Sequence, residues 1–205
     1  MADTKISALT AATSLNNTDE FALNQGGTSK KATTDLINQY GYALVVLDAA
    51  YTLTSATTAQ KIFNASTNGA LTLPTGWYRF NSVIGVTGLS ATTGNAQFQI
   101  LGGGTATLGG VLYSVVGVDG ASGTAATQTG SWSVASSSAA SAVTAGTGTS
   151  LLFNINGTFE VTATGTIIPS LALVTAAAGS VVVGSFFECK RWGALNANVL
   201  IGSWS

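Results

Sequence analysis

From residue 82 to residue 159 the chain carries a single charged side chain, that of Asp119. Over the whole chain 7% of the residues are charged, whereas a soluble globular domain usually has about 25%. A surface with so few charges gives a protein little protection against self-association. Much of the surface of this chain therefore has to be covered, either by a membrane or by protein partners.

The uncharged region has the composition of β-strands joined by tight turns. Thr, Val, Ala, Gly and Ser dominate it, and turn formers such as Asn68-Gly69 and Asn156-Gly157 recur along it. Short strands separated by such turn signals indicate a sandwich or a barrel. In the segment 77–84, alternate residues are predicted to face opposite sides of a strand. One side holds Tyr78, Phe80, Ser82 and Ile84, and the other holds Trp77, Arg79, Asn81 and Val83.

The first part of the chain differs from the rest in charge and in the grouping of its apolar residues. Residues 1–48 hold eight of the fifteen charged side chains. The apolar residues come in small groups, and a brief helix is predicted from Thr34-Asp35 to Tyr40. Such a segment cannot bury enough surface to fold alone, so we predict an arm that docks on a partner. The predicted division is an attachment arm, 1–44, and an all-β domain, 45–205.

Several classes of protein are disfavoured by the composition. The segment 171–187 is apolar, but it is short for a spanning helix and rich in Val, Gly and Ser, so strands and a turn are predicted instead of a membrane span. No basic block suggests nucleic-acid binding. The N-terminus lacks the pattern of a signal peptide. Cys189 is the single cysteine, so we expect synthesis in a cytoplasm and a buried, inert thiol.

The sequence also lacks the residues of most hydrolytic sites. It contains no histidine, which excludes Ser-His-Asp and Cys-His arrangements and most zinc sites. Beyond residue 50 the carboxylates are Asp119, Glu160 and Glu188. A glycosidase pair drawn from these three is the remaining catalytic hypothesis, and an ordinary salt bridge is the favoured interpretation. We expect no enzymatic activity, no metal and no cofactor.

Two tryptophan positions bear on binding. Trp77, with Tyr78, lies in the strongest strand and is predicted to be in the core. Trp132 lies in the polar run 128–133, and a position on the surface would let it contact a ligand such as a sugar. The segment 133–150, rich in Ala, Ser and Thr, fits either a long loop or a pair of strands made of small residues.

The N-terminal segment resembles that of phage fibre-like and virion-associated proteins. The matching motifs are Lys5-Ile6-Ser7-Ala8-Leu9-Thr10, Thr18-Asp19-Glu20-Phe21 and Gly26-Gly27-Thr28-Ser29-Lys30-Lys31-Ala32-Thr33. In that family the segment attaches the protein to the particle. The residues to which this resemblance assigns attachment are Lys5, Ile6, Leu9, Phe21, Leu23, Leu36 and Ile37.

The remainder resembles the jelly rolls of the C1q and tumour-necrosis-factor type found at the ends of phage fibres. The matching segments are Gln60-Lys61-Ile62-Phe63-Asn64, 69–80, Gly165-Thr166-Ile167-Ile168-Pro169 and 186–193. This resemblance implies a jelly-roll sandwich that forms a homotrimer. A trimer would also cover the weakly charged surface of each copy.

These observations predict a structural protein on the surface of a tailed-phage virion, made in the host cytoplasm. The trimer would be anchored by its arm to the major capsid protein or to another virion protein, as a capsid-decorating cement or head-fibre protein. One alternative is a short tail fibre or spike that binds a host surface glycan or protein. A second alternative is a particle-borne polysaccharide hydrolase.

Overall fold

The computed structural model describes residues 20–25, 27–33, 42–54, 57–89, 96–100, 103–119, 127–135, 141–144, 149–173 and 178–193. Within these ranges the regular secondary structure consists of antiparallel β-strands, and the predicted all-β class is confirmed. The chain divides into two compact units, Met1–Tyr42 and Ala43–Ser205. The predicted helix that ends near Tyr40 lies outside the described residues.

Sixteen strands are present in the described part of the chain. In chain order they are β1 (Glu20–Gln25), β2 (Thr28–Thr33), β3 (Tyr42–Val46), β4 (Tyr51–Thr52), β5 (Gln60–Lys61), β6 (Leu71–Leu73), β7 (Gly76–Thr87), β8 (Ala96–Gln99), β9 (Thr107–Asp119), β10 (Thr127–Ala135), β11 (Ser141–Thr144), β12 (Ser150–Ala163), β13 (Gly165–Ile167), β14 (Ser170–Leu173), β15 (Ser180–Val181) and β16 (Phe186–Gly193).

The described part of the N-terminal unit is a two-stranded hairpin. β1 and β2 pair over their full lengths, from Glu20 opposite Thr33 to Gln25 opposite Thr28. Gly27 lies in the turn with a φ of 79°, which glycine adopts without the steric penalty that a side chain brings.

The C-terminal unit is built around an eight-stranded sheet with β7 near its centre. β12 pairs with one edge of β7, and β9 and then β10 follow outside β12. The other edge of β7 is shared between two strands. β16 pairs with residues 77–83, and β15 pairs with Val86 and Thr87. β3 lies outside β16, and β4 lies outside β15.

A second sheet, in the order β11-β8-β14-β5, covers one side of the large sheet. The hydroxyl of Tyr113 in β9 donates a hydrogen bond to the carbonyl of Phe98 in β8 over 3.4 Å. The two rings meet edge to face with their centroids 5.9 Å apart. Such contacts across the core are consistent with a β-sandwich. β6 and β13 form a separate short pair.

The core between the sheets is centred on Phe80. Its ring centroid lies 5.8 Å from that of Tyr113, 5.7 Å from that of Phe159 and 5.6 Å from that of Phe187. The four residues of β7 that were predicted to share one face are all buried: Tyr78, Phe80, Ser82 and Ile84. They therefore do lie on one face of the strand. Each buried aromatic removes about 150–250 Å² from water, a gross stabilisation of about 4–6 kcal/mol at roughly 25 cal/mol per Å².

Two weakly patterned segments form strands. The described residues of the segment 133–150 lie mostly in the strands β10, β11 and β12, which belong to two different sheets. β10 pairs with β9 in the large sheet, and β11 pairs with β8 in the second sheet. In the segment 171–187 the described residues form strands and the turn at Val183-Gly184, as predicted. No helix in the described ranges is long and apolar enough to cross a membrane.

Cys189 is buried, as expected. Burial raises the pKa of its thiol to about 12, and the charge of Glu188 adds to the rise. Because the thiolate is the reactive form, we expect a maleimide to label the urea-unfolded chain but not the native protein near neutral pH. Rapid labelling of the native protein would contradict this burial.

The raised pKa of Cys189 also predicts how stability depends on pH. As the pH rises from 9 towards 12, the unfolded thiol loses its proton before the folded one, so the free energy of unfolding should fall over that range.

Candidate interaction face

The large sheet turns one face away from the core, and we call it the exposed face. Alternate residues of β7, β9, β12 and β16 lie on it. Directly paired residues of antiparallel neighbours lie on the same face of a sheet, so the strand registers arrange the exposed face in rows that run across the strands.

Two neighbouring rows are mostly apolar. In one, Val116 of β9 is opposite Asn154 of β12, which is opposite Val83 of β7, and Val83 is opposite Phe186 of β16. The next row pairs Val118 with Leu152. The residues that we call the apolar half of the exposed face are Val83, Val116, Val118, Leu152 and Phe186.

The apolar half presents uncharged side chains to solvent. Leu152 is 43% exposed and Val116 is 38% exposed, and no member of the set is charged. On β3, Leu44 and Val46 are also exposed, which extends apolar surface to that side of the sheet. The longer of the two rows crosses four strands, β9, β12, β7 and β16, and so spans about 14 Å at a strand spacing of about 4.8 Å.

The adjoining rows are polar. Ser114 of β9 is opposite Asn156 of β12, and Asn156 is opposite Asn81 of β7. Asn81 is opposite Glu188 of β16 and donates a hydrogen bond from Nδ2 to its Oε1 over 3.4 Å. The next row runs through Leu112, Thr158, Arg79 and Lys190. The residues that we call the polar half of the exposed face are Arg79, Asn81, Ser114, Asn156, Thr158, Glu188 and Lys190.

A shallow depression of about 260 Å³ lies in the polar half between β9 and β12. Leu112, Ser114, Asn156 and Thr158 line it, with Tyr113 and Gly157. A Cβ atom on Gly157 would lie 2.3 Å from the carbonyl oxygen of Leu112. The two strands therefore approach closely at this position because residue 157 has no side chain.

The two tryptophans singled out in the sequence, Trp132 and Trp77, lie in different strands of the large sheet. Trp132 lies in β10 opposite Ser114, so its backbone position continues the row of amides. Trp77 does not belong to the core as predicted. It is half-buried, faces away from Tyr78 and lies with the end of its ring 3.1 Å from where a Cβ of Gly110 would be. Strand alternation, which buries Tyr78, places its neighbour on the opposite face.

The predicted attachment residues fall mostly beyond the described part of the chain. Phe21 and Leu23 lie in β1, opposite Ala32 and Lys30 of β2. The residues that lie outside the described ranges are Lys5, Ile6, Leu9, Leu36 and Ile37.

The backbone positions of Glu160 and Glu188 lie far apart on the sheet. Glu160 is opposite Trp77 and Glu188 is opposite Asn81. Their backbone positions are two strands apart and four residues apart along the sheet, about 16 Å in all. Glycosidase carboxyl groups are roughly 5–10 Å apart. Among the described residues no group of three His, Cys, Asp or Glu side chains could hold a metal ion.

The arginine of β16 has a structural contact. Arg191 donates a hydrogen bond from Nη2 to the carbonyl of Thr75 over 2.7 Å. Its guanidinium crosses the backbone at Gly76, where a Cβ atom would lie 2.6 Å from Nε of Arg191. Arg191 therefore joins the end of β16 to the turn before β7.

No protein-family model, curated protein or solved structure matches this chain.

Proposed function

We propose that this chain is a trimeric structural protein on the exterior of a tailed-phage particle, with a jelly-roll domain anchored through the N-terminal unit. The observation that carries the proposal is the apolar half of the exposed face, on a chain of which 7% of the residues are charged. The location on a phage particle follows from the resemblance of the N-terminal motifs.

The strand pairing supports a jelly roll. In an eight-stranded jelly roll, the first strand pairs with the last, the second with the seventh, the third with the sixth and the fourth with the fifth, because a long hairpin wraps into two sheets. With β3, β5, β7, β8, β11, β12, β14 and β16 as the eight strands, all four pairs occur. β9 and β10 then form a hairpin inserted between the fourth and fifth strands, and this hairpin widens the large sheet.

Further copies of the chain are the proposed partners of the apolar half. The set Val83, Val116, Val118, Leu152 and Phe186 contains no charge, so copies that meet there bury no ion and avoid the desolvation cost that a buried ion brings. A closed threefold arrangement repeats the same contact at every subunit and leaves no copy of the apolar half exposed to solvent. We propose this contact as the trimer interface.

The N-terminal unit is the proposed anchor. A two-stranded hairpin such as β1–β2 is marginally stable by itself in water, so contact with a virion protein would stabilise it. The major capsid protein or another exterior protein of the particle is the proposed partner.

Deletion of residues 1–40 is expected to abolish incorporation into particles while the remaining domain stays folded and trimeric. The division of the chain after Tyr42 motivates the position of the cut. Quantitative immunoblotting of purified particles measures incorporation, and sedimentation measures assembly of the truncated protein. Full-level incorporation of the truncated chain would contradict the proposed anchor.

The second candidate function is a short fibre or spike that binds the host surface. The polar half favours it, because its amide and hydroxyl side chains can form hydrogen bonds with a ligand. Labelling on intact particles separates the two candidates, since a decoration protein lies on the head and a fibre on the tail. We propose no catalytic activity, and the separation of Glu160 from Glu188 supports this.

A further inference from the structure

We infer that the polar half of the exposed face binds a neutral oligosaccharide, laid across β7, β12 and β9 with Asn81, Asn156 and Ser114 as its hydrogen-bonding groups. This site uses different residues from the proposed trimer interface. Its existence does not depend on where the protein lies in a particle.

The first argument is the presence of asparagine in the middle of long strands. Asn is depleted in β-strands because it packs poorly and competes for backbone hydrogen bonds. Here Asn81 of the 12-residue β7 is directly opposite Asn156 of the 14-residue β12. Neither position is in a turn or a bulge. A pair that weakens the sheet at its centre indicates a role other than folding.

The second argument is the chemistry of these groups. Side-chain amides offer both donors and acceptors, and the hydroxyls of Ser114 and Thr158 do the same. This set matches the hydroxyl groups of a sugar. Charges nearby are balanced, because Arg79 and Lys190 lie on the same face as Glu188 and Glu160. The site therefore favours a neutral ligand over a phosphate or a sulfated chain.

The third argument is the spacing of the row. Neighbouring strands are about 4.8 Å apart, so Asn81, Asn156 and Ser114 are spaced about 5 Å from one to the next. An extended glycan has a pyranose ring at a similar interval. The depression of about 260 Å³ beside Asn156 and Ser114 can accept one such ring.

Two tryptophan positions belong to the same part of the sheet. Trp132 is opposite Ser114 and so ends the row at β10. Trp77 is half-buried on the same face, opposite Glu160. The ring of Trp77 is a flat apolar surface against which the C–H face of a sugar ring can stack.

Titration of the full chain with neutral cello-, malto- and N-acetylglucosamine oligosaccharides, followed by saturation-transfer NMR and calorimetry, tests the site. At least one of these probes should bind, and a sulfated heparin oligosaccharide should bind more weakly. The Asn156→Thr variant should lose about tenfold in affinity while its Tm rises, because Thr has a higher β-propensity than Asn. A purely structural amide would instead lower Tm when replaced.

Asn154→Thr is the matched control, since Asn154 lies on the same strand and face, two residues away, between Val83 and Val116. It should raise Tm and leave the affinity unchanged. Failure of every neutral probe to bind, or unchanged affinity in Asn156→Thr, would overturn the inference. Sedimentation of each variant shows whether the assembly is intact, so loss of the site is distinguishable from loss of the trimer.

Discussion

A Leu152→Lys variant is expected to sediment as a monomer at concentrations where the unmodified chain sediments as a trimer. Leu152 is 43% exposed within the apolar half, so the folded subunit tolerates a lysine there. In the proposed trimer each copy would bury one unpaired charge, at a cost of about 3–5 kcal/mol. Because 1.4 kcal/mol is about a factor of ten, the dissociation constant should rise at least about 100-fold in a sedimentation dilution series.

Val183→Lys is the matched control for this prediction. Val183 is 58% exposed, but it lies in the turn with Gly184 between β15 and β16 and not on the exposed face. The same added charge should leave the trimer intact there. A trimer that survives Leu152→Lys would exclude the apolar half as the interface. A monomeric unmodified chain at micromolar concentration would remove the trimer itself.

The sequence predicts the two sides of a strand better than it predicts a surface. Alternation over residues 77–84 divides β7 into two faces, because the side-chain period of a strand is two, and the face that holds Tyr78, Phe80, Ser82 and Ile84 is the buried one. The same rule placed Asn81 on the other side. It could not bring Asn81 beside Asn156, because that contact depends on the pairing of β7 with β12. The apolar and polar halves are therefore products of strand register, which local patterns do not encode.

Predictions that do not use the alternation of side chains along a strand are less accurate for this chain. Trp77 is predicted to be in the core because it lies in the strongest strand, although its neighbour Tyr78 occupies the inward position. In the segment 133–150 small residues give both faces of a strand the same character. Hydrophobicity there cannot distinguish a loop from the strands β10 and β11, whose partners β9 and β8 lie elsewhere in the sequence.

A Phe80→Ala variant is expected to lose about 3–5 kcal/mol of stability, the range for truncation of a buried phenylalanine. Phe80 is 1% exposed, and its ring contacts Tyr113, Phe159 and Phe187 from three different strands. Removal of the ring leaves a cavity that three rigid aromatic rings cannot fill. Urea unfolding at fixed protein concentration measures the loss. The concentration is fixed because assembly makes apparent stability depend on it.

Arg79→Ala, the adjacent substitution, separates this cavity effect from any general sensitivity of β7. Arg79 is exposed and lies on the opposite face of the strand, where a substitution usually changes stability by less than about 0.5 kcal/mol. The two positions differ by one residue, so they differ in face but not in strand or in backbone pairing. Equal losses at both would mean that β7 is destabilised through its backbone, and the sandwich core would then not be centred on Phe80. A large loss at Phe80 alone would show that the alternation in β7 determines which face supplies the core and which face remains available for partners.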